Sequence, residues 1–179
     1  MYLEHLIKSA DKKYKKIPVS GISFDSRKVK KRNIFFAIEG NKTSGHKFVN
    51  DAILKGASVI VSNKKITHEI PCILVKNVRK SLAEASSRLY KIKPSKIIAV
   101  TGTNGKSSVA DFFYQILSLN KIPVASIGTL GILSKKYKKK NYLTSPDPVV
   151  LHKNLEILAR NKINHVILEA SSHGLEQKR

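Results

Sequence analysis

Residues 97–108 read IIAVTGTNGKSS, an apolar run followed by a glycine-rich turn and then by a lysine and two serines. The first four residues predict a buried strand. Gly102 and Gly105 let the backbone approach a bound group without a Cβ clash. A helix that begins near Ser107 would add the free N–H groups and the dipole that attract anions. This order of strand, turn and helix predicts a phosphate-binding loop, and therefore a nucleotide site.

The loop is shorter than the standard pattern, in which a further glycine stands where this chain has Val100. Lys106 can reach the β- and γ-phosphates of a nucleotide, and the Ser107 hydroxyl can bind Mg²⁺. We therefore predict a site for ATP and Mg²⁺ that is formed by Gly102, Thr103, Asn104, Gly105, Lys106, Ser107 and Ser108. The loop alone leaves kinase, GTPase, ATPase and ligase activities open.

Composition narrows the class of protein. The chain has 179 residues, of which 41% are hydrophobic, and this favours a folded core. Its net charge of +22 indicates an anionic partner, but the lysines are spread over every segment and aromatic residues make up only 7%. Nucleic-acid surfaces usually combine clustered basic residues with aromatic ones, so small polyanionic substrates are the better prediction. We predict no nucleic-acid partner.

Cysteine usage and hydropathy argue against a disulfide-linked protein and against a membrane-spanning one. Cys72 is the only cysteine, so the chain has no internal disulfide, and its apolar neighbours predict a buried, inert thiol. No apolar run approaches the ~20 residues of a membrane span, and we predict no membrane insertion and a cytoplasmic protein. The histidines other than His173 show no metal-ligand spacing, and we interpret them as surface or packing residues.

Strand and helix patterns alternate, which predicts an α/β fold in two domains, 1–93 and 94–179, joined near Pro94. In the first domain we predict strands at 34–38, 59–61 and 73–75 and helices at 46–55 and 81–90, with Phe48, Ala52 and Ile53 facing the core. In the second we predict strands at 97–100, 124–127 and 166–169, a helix at 107–119 with Val109, Phe113 and Ile116 at core spacing, and a helix after Pro148 with Leu151, Leu155 and Leu158 on one side. The second domain is predicted to be the first part of a P-loop domain with a mostly parallel sheet.

The loop at 101–107 resembles that of the Mur ligases, the ATP-dependent enzymes that extend the peptide of the bacterial cell-wall precursor, which carry the same shortened form. Folylpolyglutamate synthetases share this loop. Residues 24–29, 34–40 and 45–48 are similar to the UDP-binding domain of the third and fourth Mur ligases, which those synthetases lack. The resemblance implies that the UDP part of the substrate is contacted by Phe24, Ser26, Asn41, Lys42 and Thr43.

Three later segments, 126–131, 143–148 and 169–179, resemble the Mur ligases that add the third peptide residue. The resemblance implies that the muramoyl-dipeptide is held by Thr144, Ser145, Ser171, Gln177 and Arg179. It also implies that Glu169 binds Mg²⁺ beside Ser107. A carboxylate at the end of a parallel strand suits this role, because ligands of α/β folds bind at that edge. For His173, in the same segment, a structural hydrogen bond is at least as good an interpretation as catalysis.

The reaction implied by the resemblance is the ATP-dependent addition of a diamino acid to UDP-N-acetylmuramoyl-L-alanyl-D-glutamate through an acyl phosphate. Lys106 would be the catalytic residue, meso-diaminopimelate the first choice of amino acid and L-lysine the second, in a monomeric enzyme. The family's amino-acid-binding C-terminal domain and the later part of its central domain do not occur in the 179 residues, so we expect these residues alone to be inactive as a ligase. The alternatives are a Mur ligase that adds D-alanyl-D-alanine, a non-catalytic nucleotide-binding chain and a basic nucleic-acid-binding module.

Overall fold

The computed structural model describes residues 1–40, 43–140 and 143–178 and contains two compact units, Met1–Leu89 and Tyr90–Arg179. The first unit consists of α1 (Leu3–Leu6), β1 (Gly21–Ser23), β2 (Asn33–Phe36), α2 (Val49–Leu54), β3 (Ala57–Ser62), β4 (Cys72–Leu74) and α3 (Val78–Leu89), with 3₁₀ turns at Lys12–Tyr14, Ser26–Lys28 and Gly45–Phe48. The second consists of β5 (Lys96–Val100), α4 (Lys106–Leu119), β6 (Val124–Gly128), β7 (Gly131–Leu133), α5 (Pro148–Arg160), β8 (His165–Glu169) and α6 (Ser172–Glu176).

The first unit contains a parallel sheet in the order β1-β2-β3-β4. Its central strands are apolar on both faces, with Phe35 and Ile60 fully buried, as expected for a parallel sheet that is covered on both sides. The helix predicted at 46–55 begins as a 3₁₀ turn and becomes α-helical only at Val49. The tighter turn changes the angular spacing of the side chains, so Ala52 is buried while Phe48 is 38% exposed, and the prediction that Phe48 faces the core was wrong.

The second unit contains a sheet in the order β5-β8-β6-β7, in which only β7 is antiparallel to its neighbour. This confirms the predicted α/β fold with a mostly parallel sheet. The helix after the sequence Pro-Asp-Pro is also confirmed. The Asp147 side chain accepts a hydrogen bond from the Val150 N–H at 2.9 Å and caps α5, and Leu155 and Leu158 on its inner face are buried.

Two of the predicted apolar faces are exposed. β5 pairs with β8 and with no other strand among the described residues, and Ile97 and Ile98 are 40% and 38% exposed, so the prediction of a buried strand was wrong. In α4, Phe113 is half-buried but Val109 and Ile116 are exposed, which contradicts their predicted core position. Apolar spacing identifies the face of a helix or strand that can be covered, but it carries no information on whether a covering surface is present.

Cys72 is partly rather than fully buried, and desolvation raises the pKa of its thiol. A raised pKa disfavours the reactive thiolate, in agreement with an inert cysteine. In the part of the chain that the structure describes, none of the helices is long and apolar enough to cross a membrane.

Two leucines of the second unit offer a matched test of this packing. Leu158 is completely buried and Leu119 is 81% exposed. We expect Leu158→Ala to lower the free energy of unfolding by about 2–5 kcal/mol, because it removes buried methyl groups and leaves a cavity. Leu119→Ala should change it by less than about 0.5 kcal/mol. Urea unfolding of both variants measures the difference, and equal losses would contradict the described core.

A second prediction concerns pH. His152 in α5 has a buried Nδ1 with no hydrogen-bond partner among the described residues, and desolvation, together with the nearby Lys93 charge, lowers its pKa to about 4 from the usual 6.5. Between these values the unfolded state binds more protons, so stability should fall as the pH drops from about 7 to about 4. His152→Gln should lose part of this dependence in urea titrations. An ordinary titration midpoint for the His152 ring by NMR would argue against the buried neutral form.

Candidate functional site

The site lies where the parallel strands of the second unit end. The register pairs Val100 at the end of β5 with Glu169 at the end of β8, and Leu168 with Ile127 in β6. Because the carboxyl ends of parallel strands share one edge, this strand order places Glu169 beside the loop after β5 and the turn after β6. The sheet therefore brings together three segments that are far apart in the sequence.

The backbone of the predicted phosphate loop has positive φ angles at its two glycines. Gly102 and Gly105 have φ values of 145° and 76°, and Gly105 leads directly into α4. Both φ values lie in the region that residues other than glycine rarely adopt. The Lys106 Nζ donates hydrogen bonds to the carbonyl oxygens of Gly102 at 2.6 Å and Thr103 at 3.2 Å. The ammonium group is thus held at the loop in which the phosphates are predicted to bind. Asn104 belongs to the same turn, and Ser108 lies in the first turn of α4.

Glu169 is only 4% exposed, and both oxygens of its carboxylate are hydrogen-bonded. One oxygen, Oε2, accepts hydrogen bonds from the Ser107 hydroxyl at 2.8 Å and the Thr129 hydroxyl at 3.1 Å. The other, Oε1, accepts one from the Thr129 N–H at 3.1 Å. The structure therefore brings together Ser107 and Glu169, the two residues predicted to bind Mg²⁺.

The chemistry of these groups suits a hard cation, because Mg²⁺ prefers carboxylate, hydroxyl, phosphate and water oxygens. The described residues contain no cluster of three or more His, Cys, Asp or Glu side chains that could hold a metal ion. A cation between Ser107 and Glu169 would consequently need further oxygen ligands from a bound nucleotide or from water.

Gly128, the last residue of β6, makes room for this carboxylate. A Cβ atom at this position would lie 2.0 Å from Glu169 Oε1, well inside van der Waals contact. The glycine is thus required by close approach, and neither strand propensity nor turn formation explains it. Gly128 and Thr129 belong to the segment 126–131, which was recognised in the sequence as a motif without a role for either residue.

Three residues predicted to hold the muramoyl-dipeptide contact Glu169 or residues hydrogen-bonded to it. The Ser145 hydroxyl is 3.0 Å from the Glu169 carbonyl oxygen and 3.1 Å from the Ser171 hydroxyl, and it accepts the Ser171 N–H at 2.9 Å. The Thr144 hydroxyl is 3.1 Å from that of Thr129. A cavity of about 170 Å³ beside them is lined by Ser145, Glu169 and apolar residues of β5, β6, β8, α5 and α6. Their roles toward the substrate stay predictions.

Gln177 comes directly after α6, and its amide nitrogen is 2.7 Å from His173 Nε2. His173 Nδ1 also lies 3.8 Å from a Glu176 carboxylate oxygen. These contacts give His173 the structural hydrogen bond that was one interpretation of it from the sequence. Arg179, the remaining residue assigned to the dipeptide, lies outside the described residues.

The residues assigned to UDP all belong to the first unit. Phe24 and Thr43 are exposed, whereas Ser26 is buried at the start of a 3₁₀ turn. Asn41 and Lys42 lie outside the described residues. Within the same motif, Asp25 accepts two side-chain hydrogen bonds from Arg27 at 2.9 Å, and these bonds lower the pKa of the Asp25 carboxyl.

His46 has a more definite place than its interpretation as a surface or packing residue implied. Its Nδ1 lies 2.9 Å from the Ser44 hydroxyl and its Nε2 lies 2.9 Å from the Ser62 hydroxyl, so the imidazole ring joins the start of a 3₁₀ turn to the end of β3. Nearby, Lys64 and Glu39 form an ion pair at 2.6 Å. In the sequence, the only indication of this structural role was that His46 belongs to the segment 45–48, which is part of the family resemblance.

A glycine-rich turn between β5 and α4, with a buried acidic residue at the end of the adjacent parallel strand, is the arrangement of a P-loop domain. Two family descriptions match the chain, the "Mur ligase family, catalytic domain" over residues 18–96 and the "Mur ligase middle domain" over residues 100–179. The chain belongs to the Mur ligase family, as the sequence motifs predicted.

Curated relatives are named UDP-N-acetylmuramoyl-L-alanyl-D-glutamate--2,6-diaminopimelate ligase. The protein of Bradyrhizobium diazoefficiens is 43% identical over 164 residues, which cover 91% of this chain and 34% of that protein. The protein of Rickettsia montanensis is 40% identical over 182 aligned positions, covering 99% of this chain and 37% of that protein. The chain therefore spans about a third of the length of the curated relatives that it matches.

A solved structure of a ligase with this same name superimposes with a TM-score of 0.85 at 28% identity and covers 99% of this chain and 37% of the solved one. The MurF ligase from Thermotoga maritima in complex with ADP gives a TM-score of 0.58 at 22% identity, with 86% and 32% coverage, a likeness of fold alone.

The close approach at Gly128 generates a prediction. Gly128→Ala should displace the Glu169 carboxylate and lower the free energy of unfolding by about 1–3 kcal/mol, as overpacking of a well-packed site does. The matched control is Gly21→Ala, where the nearest atom to a new Cβ is 3.4 Å away on the Asn33 side chain. Thermal or urea unfolding measures both, and a stability of Gly128→Ala equal to that of the control would refute this packing.

Proposed function

We propose that this chain forms the UDP- and ATP-binding part of a ligase that adds a diamino acid to UDP-N-acetylmuramoyl-L-alanyl-D-glutamate. The observation that carries the proposal is the position of the buried residue Glu169. Its side-chain carboxylate accepts the Ser107 hydroxyl of the phosphate loop, and its backbone carbonyl oxygen accepts the Ser145 hydroxyl. Transfer of a phosphoryl group from a nucleotide to a peptide carboxylate requires the two substrates to lie side by side. Glu169 lies between the residues proposed to bind each of them. The names of the relatives support the same reaction.

In the proposed reaction, an oxygen of the D-glutamate carboxylate attacks the γ-phosphorus of ATP, which forms an acyl phosphate and releases ADP. The amine of the diamino acid then attacks the acyl carbon, and an amide forms as inorganic phosphate leaves and the nitrogen loses a proton. The enzyme needs no nucleophile of its own. Its contribution is to align the two reactants and to offset the charge on the phosphoryl group.

Lys106 is the proposed catalytic residue. Its ammonium group, which is held by the Gly102 and Thr103 carbonyl oxygens, would turn to the β- and γ-phosphates and stabilise negative charge there. The backbone N–H groups of the loop from Gly102 to Ser108 would bind the phosphates. Ser107 and Glu169 are the residues that would hold Mg²⁺, which supplies positive charge to the phosphate oxygens.

The substrate contacts are proposed residue by residue. Thr144, Ser145 and Ser171 would bind the muramoyl-dipeptide together with Gln177 and Arg179. Phe24, Ser26 and Thr43 would contact the UDP part together with Asn41 and Lys42. The net charge of +22 would increase the rate at which these anionic substrates associate.

We further propose that the ligase acts in the cytoplasm as a monomer and that the added amino acid is meso-diaminopimelate, with L-lysine as the alternative. The first choice rests on the names of the relatives. An assay of the complete protein that carries this chain, with each amino acid in turn, discriminates the two by ADP release.

The nucleotide site is tested with Lys106→Ala and the matched variant Lys121→Ala, which removes an exposed lysine from the turn after α4. Loss of a charged hydrogen bond should weaken binding of Mg²⁺-ADP by roughly tenfold to a hundredfold in Lys106→Ala. Lys121→Ala should bind as the unchanged chain does, and both should keep their affinity for the UDP-muramoyl-dipeptide. Calorimetry measures each affinity.

In the complete protein, Lys106→Ala should abolish ADP formation, because the phosphoryl group would lose its main positive partner. Unchanged ADP affinity or unchanged turnover in Lys106→Ala would refute the assignment of the loop.

A further inference from the structure

Thr129 occupies a position that the proposed mechanism does not use. It is the first residue after β6, and it binds Glu169 twice, through its N–H to Oε1 and through its hydroxyl to Oε2, both at 3.1 Å. The same hydroxyl lies 3.1 Å from the Thr144 hydroxyl. Thr129 is therefore bonded both to the residue assigned to Mg²⁺ and to a residue assigned to the peptide substrate.

The direction of these hydrogen bonds is set by the chemistry of the groups. An ionised carboxylate only accepts, so the single proton of the Thr129 hydroxyl points to Glu169. The Thr144 hydroxyl must then donate to the Thr129 oxygen. The result is a relay in which Thr144 donates to Thr129 and Thr129 donates to Glu169. Bonds in such a chain polarise one another, and the charged acceptor at its end strengthens them.

Gly128 allows the backbone before Thr129 to lie against the same carboxylate. A Cβ atom at position 128 would lie 2.0 Å from Glu169 Oε1, so a glycine stands there. The backbone at 128–129 is therefore in direct contact with the carboxylate. Thr129 itself is exposed, and its side chain meets Glu169 through the hydroxyl contact at 3.1 Å. Ser107 approaches Glu169 Oε2 from the phosphate loop, and the carboxylate is thus held from both sides.

We propose that Thr129 is a positioning residue that orients the Glu169 carboxylate for Mg²⁺-nucleotide binding and links it to Thr144 on the substrate side. The inference rests on the proposed function, since it presupposes that the loop binds a nucleotide with Mg²⁺. A hydroxyl that serves the fold alone would affect stability and leave the dependence of nucleotide binding on Mg²⁺ unchanged.

The test compares Thr129→Val and Thr129→Ser in the 179-residue chain. Valine keeps the shape and the N–H of residue 129 and removes the hydroxyl, whereas serine retains it. ADP affinity is measured by calorimetry with Mg²⁺ and with a chelator. The gain in affinity due to Mg²⁺ should fall by roughly tenfold in Thr129→Val, the effect of losing a hydrogen bond to a charged group, and Thr129→Ser should restore it. Thr67→Val, at an exposed threonine of the first unit, is the control for the substitution itself.

The link to Thr144 is tested by a double-mutant cycle. Thr144→Val should reduce the Mg²⁺ gain less than Thr129→Val does, and the double variant should be no worse than Thr129→Val, because both changes interrupt one relay. Strictly additive effects would overturn the link. If Thr129→Val does not fold, Thr129→Ser and Thr144→Val still decide, since a full Mg²⁺ gain in Thr144→Val contradicts the relay.

The outcomes separate the two proposals. If the unchanged chain does not bind Mg²⁺-ADP, the proposed nucleotide site fails, and the role of Thr129 fails with it. If the unchanged chain binds and Thr129→Val has the same Mg²⁺ gain, only the role of Thr129 is refuted, and the nucleotide site stands.

Discussion

The buried carboxylate of Glu169 constrains the rest of the second unit. An ionised side chain that loses its water is costly unless hydrogen bonds replace it. Here the replacements are the Ser107 hydroxyl and the N–H and hydroxyl groups of Thr129. These groups come from the phosphate loop and from the end of β6, so both segments must meet β8 at one point. Gly128 satisfies the same constraint by leaving space for Oε1.

The order β5-β8-β6 meets this constraint. β8 is the last of the three strands along the chain, yet it lies between the other two, and its terminal Glu169 therefore contacts the segments that begin at the ends of β5 and β6. A sheet in sequential order would separate Glu169 from the phosphate loop by one strand. In this order Glu169 lies between the predicted nucleotide side, where its carboxylate accepts the Ser107 hydroxyl, and the predicted substrate side, where its backbone carbonyl oxygen accepts the Ser145 hydroxyl.

Several features were predictable because they depend on neighbours in the sequence. Glycines and a lysine between an apolar strand and a helix predict the tight turn between β5 and α4 locally, and the structure contains this turn. The capped helix α5 results from Asp147 and the leucine spacing. The exposure of Ile97, Ile98 and Ile116 was not predictable, because burial depends on the surface that lies opposite a face. Phe48 was assigned to the core because apolar spacing does not distinguish a 3₁₀ turn from an α-helix.

By itself, the sequence determined the fold class and the membership of the Mur ligase family, and it predicted the residues of the phosphate loop, since each depends on short-range patterns or on motif order. Only the tertiary structure decided that Thr129 and Gly128 lie against Glu169. Their contacts with Glu169 span 40 residues or more of chain. No local pattern encodes such a distance, because it arises when the strands pair and bring their ends to one edge of the sheet.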